Sequence, residues 1–254
     1  MPFRYCAISL FRYFAISLFH YFAISLFVTS ILLLSACSHK NENRIIITGQ
    51  VEGASGIIYL QEQTTFELLK IDSMIADSEG RFSLDVKTDQ ASIYSVRLTP
   101  DDQVVFIAQP GDSVQIEGNL NQFPSQIRAS GNSETDLLQD FYDFSTGNLR
   151  EVDSLQRIIE LNQGEENFYE LTVYTDSLFN QIWVRQRLYE KEFIRNHAGD
   201  FSTLLVVNYH FGVGPVLSPK NDKEDYKRVD SGLMANYPGN RHALFFHQWL
   251  KEAR

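Results

Sequence analysis

Cysteine is almost absent from this chain, and acid is absent from its first 41 residues. Only Cys6 and Cys37 occur among 254 residues, and no Cys-x-x-Cys pair exists. Dithiol exchange and a clustered-thiolate zinc site are therefore excluded from this chain alone. Motifs with a defined catalytic geometry are missing too. No glycine flanks a serine at two residues on either side, as a nucleophile elbow requires, and Gly111-Asp112-Ser113 reads as a β-turn. Gly212-Val213-Gly214 lacks the third glycine of a phosphate cradle and runs into Pro215, so it reads as a loop. Past residue 37 the histidines are His39, His197, His210, His242 and His247. A helical zinc pair is spaced by four residues with a glutamate beside the first. His242 and His247 are five apart, which turns them about 100° out of place on a helix. Glu165-Glu166 and the acids of residues 222–225 stand where helices begin, and there carboxylates favour the helix dipole. The sequence thus predicts no catalytic, metal-binding or cofactor-binding residue, and no cofactor.

What is present is most informative at the start. Arg4 and Arg12 supply positive charge, an apolar stretch covers residues 21–34, and polar sequence follows Cys37 at once. This is the layout of a secretory signal. Leu34-Ser35-Ala36-Cys37 resembles the lipobox of bacterial lipoproteins. The resemblance implies a diacylated Cys37 thiol, cleavage before Cys37, and acylation of the new amino group. Two or more acyl chains hold a protein stably to a membrane, whereas one binds marginally. An uncleaved membrane-spanning helix is the alternative, since the apolar stretch can reach the ~20 residues needed; two small residues directly before a cysteine argue against it. Within the leader, residues 3–10 recur as 11–18 and 19–26. An eight-residue period matches neither a heptad nor a solenoid, and the segment is set aside from fold reasoning.

Residues 1–36 carry two of the 22 basic residues and none of the 32 acids, so the remainder has a formal charge of −12. Such a surface repels nucleic acid, which is excluded as a partner. Residues 37–43 read as a lipidated tether. Residues 44–131 are β-rich, with strands expected at 45–51, 57–60, 68–76, 81–86, 92–98, 104–108 and 113–117, and a weak last one near 126–129. Residues 132–254 are helical. Asn132 or Ser133 caps a first helix that Gly147-Asn148 ends, and further helices are expected at 149–162, 165–196, 201–210, 222–236 and 240–254. On the long helix, Phe168, Leu171, Tyr174, Leu178, Ile182, Leu188 and Phe193 are the expected buried positions. Phe141, Tyr142, Phe144, Trp183 and Tyr189 are expected in the core. The fold class is α+β: an antiparallel β-sandwich or partly open barrel followed by a helical segment.

Several short stretches together resemble the DUF4369 domain of Bacteroidetes envelope proteins. They are Thr48-Gly49-Gln50-Val51, Ile58-Tyr59-Leu60, Asp77-Ser78-Glu79-Gly80-Arg81-Phe82, Pro110-Gly111-Asp112-Ser113-Val114 and Ala129-Ser130-Gly131. In that family helices usually follow, one of them similar to Glu192-Phe193-Ile194-Arg195-Asn196-His197, so the resemblance runs over residues 44–254. Many members continue into a thioredoxin-like domain performing thiol-disulfide exchange. Such a domain would begin about where this sequence ends, and an attacking thiolate is required, so that activity is not expected here. The expectation is a non-catalytic envelope lipoprotein acting as a binding or scaffolding module. Its membrane contact is the lipid on Cys37, with an unidentified envelope protein or small molecule as partner. Ser38 leans the location towards the outer membrane, facing the periplasm. Two other readings stay open: the accessory half of a thiol-disulfide oxidoreductase, and a small-ligand receptor with a pocket between strands and helices.

Overall fold

The structure is a computed structural model that describes residues 43–100, 102–122, 127–212 and 214–252. The lipobox Leu34, Ser35, Ala36 and Cys37 and most of the tether lie outside the described residues. Glu42–Arg254 is one compact unit. Its strands are β1 Arg44–Glu52, β2 Ile57–Gln63, β3 Leu68–Ile75, β4 Arg81–Lys87, β5 Ser92–Arg97, β6 Gln103–Ala108, β7 Ser113–Asn119 and β8 Arg128–Ser130. They form two four-stranded sheets, β4-β1-β7-β8 and β3-β2-β5-β6. The sheets face each other as a sandwich and do not close into a barrel.

Period-two alternation makes the core. The isoleucine run of β1 is divided by the pleat: Ile45 and Ile47 are buried, Ile46 points out. Phe82, Leu84 and Val86 of β4 do the same from the neighbouring strand. From the second sheet come Ile58, Leu60, Val96, and Tyr94 stacked on Phe106. Asp77 holds the turn into β4 by accepting from the Glu79 and Arg81 amides, and Gly80 adopts φ 72° there. Gly49 faces Phe82 across the β1/β4 ladder, and a Cβ on it would lie 2.1 Å from the Phe82 ring. Gly49→Ala is therefore expected to destabilise the fold by about 1–3 kcal/mol, because that ring is itself packed in the core. A denaturant midpoint equal to the parent's would show that the ring has room to move.

One pairing departs from expectation. β1 and β7 run parallel, while every other pair in the sandwich is antiparallel. Alternation is the same for both directions, so the pattern could not tell them apart. Direction follows from the path: β2, β3, β5 and β6 lie in the other sheet, and the chain returns to β1 through Pro110-Gly111, with the Gly111 amide donating to the Arg44 carbonyl.

The helices are α1 Ser133–Leu161, α2 Phe168–His197, α3 Thr203–Val206, α4 Lys223–Asn236 and α5 Arg241–Glu252, with a small ribbon of β9 His210–Phe211 and β10 Gly214–Pro215 between α3 and α4. Asn132 caps α1, accepting from the Thr135 amide at 2.8 Å. The same turn covers the free edge of β6. Thr135 donates its hydroxyl to the Ile107 carbonyl and accepts from the Ile107 amide, Asn132 donates to that carbonyl, and Gln139 donates to the Val105 carbonyl.

The expected stop at Gly147-Asn148 is wrong: α1 runs straight through it. The Asn148 side chain is buried against α2, donating to Gln186 and accepting from Arg185, so tertiary contacts override the local break signal. The 201–210 helix is likewise shorter than expected, because the chain turns into the β9/β10 ribbon. On α2, Tyr174 and Leu188 are exposed, and Gln186 and Glu190 occupy the buried stripe instead. α1 packs on the β6 side of the second sheet. Ile93 and Ile107 on that sheet's outer face join Leu138, Phe201, Leu204, Val229, Phe246 and others in a second core.

Candidate functional site

Sequence reasoning named no catalytic set, yet the structure assembles one suggestive cluster. Ser92 begins β5, Glu62 lies near the end of β2, and Arg241 and His242 open α5. The Ser92 hydroxyl donates to Glu62 Oε1 at 2.6 Å and lies 3.2 Å from His242 Nε2. Arg241 pairs with Glu62. Burial, aided by the Arg241 charge, pushes His242 down to about 4, so the imidazole is neutral near neutral pH. A serine nucleophile must give its proton to histidine, and the carboxylate must orient the other ring nitrogen. Here the serine proton goes to Glu62, which leaves His242 Nε2 as the donor to Ser92. The order of the three groups is wrong for a triad, and Ser92 is fully buried. The cluster instead fastens α5 to the sheet. Asn240 donates to the Ala91 carbonyl, and the Arg241 amide donates to Gln90.

The remaining histidines among the described residues are dispersed. His197 meets Asp200, His247 meets Asp230 of α4, and His210 is exposed beside the Asn208 carbonyl. No group of three His, Cys, Asp or Glu among the described residues could hold a metal. Asp222 does more than favour a dipole. Its buried carboxylate accepts from Arg187, Lys191 and the Ser218 amide, tying α2 to the start of α4. Burial alone would raise Asp222; the hydrogen bonds from Lys191, Arg187 and Ser218 outweigh it and hold the group below its ordinary value.

Between α1 and α2 lies a polar seam. Gln186 donates to Ser145 at 2.9 Å and to Glu190 Oε1 at 3.2 Å, and accepts from Asn148. Glu190 is fully buried and its Oε2 has no partner. Burial pushes this carboxyl up to about 8, against the weaker pull of the Gln186 bond and the Arg187 charge.

Two concavities bear on binding. One, of about 330 Å³, lies between the second sheet and the helices, where Ile93, Leu204, Phe246 and Trp249 meet His242. The other, of about 600 Å³, opens at the opposite end of the same sheet's outer face, over Ile57, Tyr59 and Gln61 of β2, Lys70 of β3 and Arg97 of β5. Helices roof the first half of this face and leave the second half open. The sequence held a signal for the open groove: β2 carries Ile57 and Tyr59 on the face opposite its buried Ile58 and Leu60, where a solvated strand would be polar. Among the described residues no helix is long and apolar enough to cross a membrane.

No curated protein matches the chain. Residues 45–138 match the family model DUF4369, a domain of unknown function, a span that opens in β1 and closes at Leu138 of α1.

Proposed function

We propose that the protein is a non-catalytic binding or scaffolding module of the bacterial cell envelope, held by lipid on Cys37 to the outer membrane and facing the periplasm. The observation that carries the binding half is the open groove on the second sheet, which is large enough for a small molecule and has no histidine, cysteine or carboxylate among the described residues that line it. The inverted order of Ser92, Glu62 and His242 agrees with it. Leu34-Ser35-Ala36-Cys37 supports the anchor. Cells fed an alkyne-bearing fatty acid are expected to label the full-length protein, and Cys37→Ala is expected to lose both the label and sedimentation with membranes. Label retained in that variant would sink the anchor, and turnover of any substrate in a broad hydrolase and reductase screen would sink the non-catalytic reading.

A second reading rests on the resemblance carried by the turn-and-strand stretches between Thr48 and Gly131: the chain is the substrate- or partner-binding half of a thiol-disulfide oxidoreductase whose thioredoxin-like domain is missing or separately encoded. Stable co-purification with a host protein bearing Cys-x-x-Cys, lost when that protein is deleted, would favour it over the first.

A further inference from the structure

We infer that the open groove binds a soluble anionic amphiphile, a single carboxylate on an apolar chain. This deepens the binding-module reading and rests on it. Three adjacent strands build the head site. Tyr59 of β2 stands directly across from Arg97 of β5, and Gln61 stands across from Lys70 on the other side. The Lys70 ammonium lies 4.1 Å above the centre of the Tyr59 ring. Strands two apart in a sheet are separated by roughly 10 Å, so both long cationic side chains reach one anion placed over Tyr59. Neither Lys70 nor Arg97 makes an ion pair among the described residues, and no acidic described residue lines the groove. On a chain whose acids outnumber its bases 32 to 22, two adjacent cations with no carboxylate among the described lining residues favour an anion.

Beside Ser55 and Thr99, the groove offers an apolar strip. Ile57 is 52% exposed in the groove and pairs across the ladder with Ile75, 69% exposed beside it, while Pro100 stands on the Arg97 side. An anion without an apolar body would leave this strip wet. A polyanion would meet the strongly negative remainder of the surface. The groove also lies at the end of the sandwich where β1 finishes, away from Arg44, where the chain enters. That position suits a diffusing ligand rather than the surface to which the chain is tethered.

The test uses the full-length chain in lipid nanodiscs and a diazirine-bearing dodecanoate as photoprobe, with labelled peptides mapped by mass spectrometry. Labelling is expected on residues 55–61 and 97–100, to be displaced by dodecanoate, and to be untouched by dodecyltrimethylammonium. Lys70→Gln with Arg97→Gln is expected to cut it about tenfold or more, through loss of the charge-assisted bonds, with an unchanged melting temperature. Absent labelling in the groove, equal displacement by the cationic amphiphile, or labelling that persists in the double variant would each overturn the inference. So would cross-linked dimers through this face, or a groove labelled only by probes fixed in the bilayer. The comparison of two competitors on the parent chain keeps the result decisive even if the variant folds poorly. A partner cross-linked elsewhere with an unlabelled groove would defeat this inference and leave the binding-module reading standing.

Discussion

Glu190→Gln is expected to stabilise the protein by roughly 3–5 kcal/mol at pH 9 and by almost nothing at pH 4. Glutamate in the unfolded chain titrates near 4.5, and in the fold near 8. Between those values the folded state holds a proton that the unfolded state has released. Stability therefore falls as pH rises from 4.5 to 8, and the loss is complete above 8. The groups around it are Gln186 and Arg187 on its own helix, Ser145 from α1, Tyr209 from the segment before β9, Tyr226 of α4, and Asp222 ahead of α4. Only Arg187 is a cation among them, and Asp222 already engages it. Glutamine cannot ionise, keeps the bond from Gln186, and places one orphaned amide where the acid has one orphaned oxygen. His242 acts in the opposite sense. Its folded value, near 4, lies below the ordinary 6.5, so stability rises with pH over that interval. The parent profile should thus be nearly flat to about pH 6.5 and fall beyond it, whereas the variant should rise and then level. Urea midpoints from pH 4 to 9 decide the matter. A variant curve parallel to the parent's would mean that Glu190 is ionised within the fold at neutral pH.

Asp222→Ala is expected to cost roughly 3 kcal/mol at pH 7, since it strips a nearly fully buried carboxylate from two cations. Arg187 would keep only the Val216 carbonyl and its place over Trp183, while Lys191 would keep Asp225. The Asp222 value is lowered in the fold, so its contribution is present above about 3.8 and vanishes as pH falls below that. Arg187→Ala should cost less, because Lys191 still neutralises Asp222. A loss within about 0.5 kcal/mol for Asp222→Ala, the range of ordinary surface changes, would show that α2 and α4 are joined by their apolar contacts alone.

The strands were legible because β1, β4 and β7 alternate cleanly and are bounded by Gly and Asp turns. Each of the seven main strands lies within two or three residues of its expected span. The helical half was less legible for an identifiable reason. Its buried stripes are partly polar: Ser145, Asn148, Gln186 and Glu190 replace the apolar residues that a period search looks for. Gly147-Asn148 carried a correct local message, which pairing with α2 then overruled. The histidines read as ordinary residues, and His197, His242 and His247 are each held by a neighbour. The Ser92, Glu62 and His242 cluster was invisible because its members are 30 and 150 residues apart. The groove cations Lys70 and Arg97 escaped notice for the same reason: three strands had to be laid side by side before they met.

The covered edge of β6 bears on how this module can be cut. A fragment ending with β8 would bare the Val105 and Ile107 backbone and the apolar outer face around Ile93, and would be expected to stick to its own copies. The family match ends at Leu138, past Asn132 and Thr135 and one residue short of Gln139. The last strand of this sandwich is, in effect, written in side chains on the opening turns of a helix.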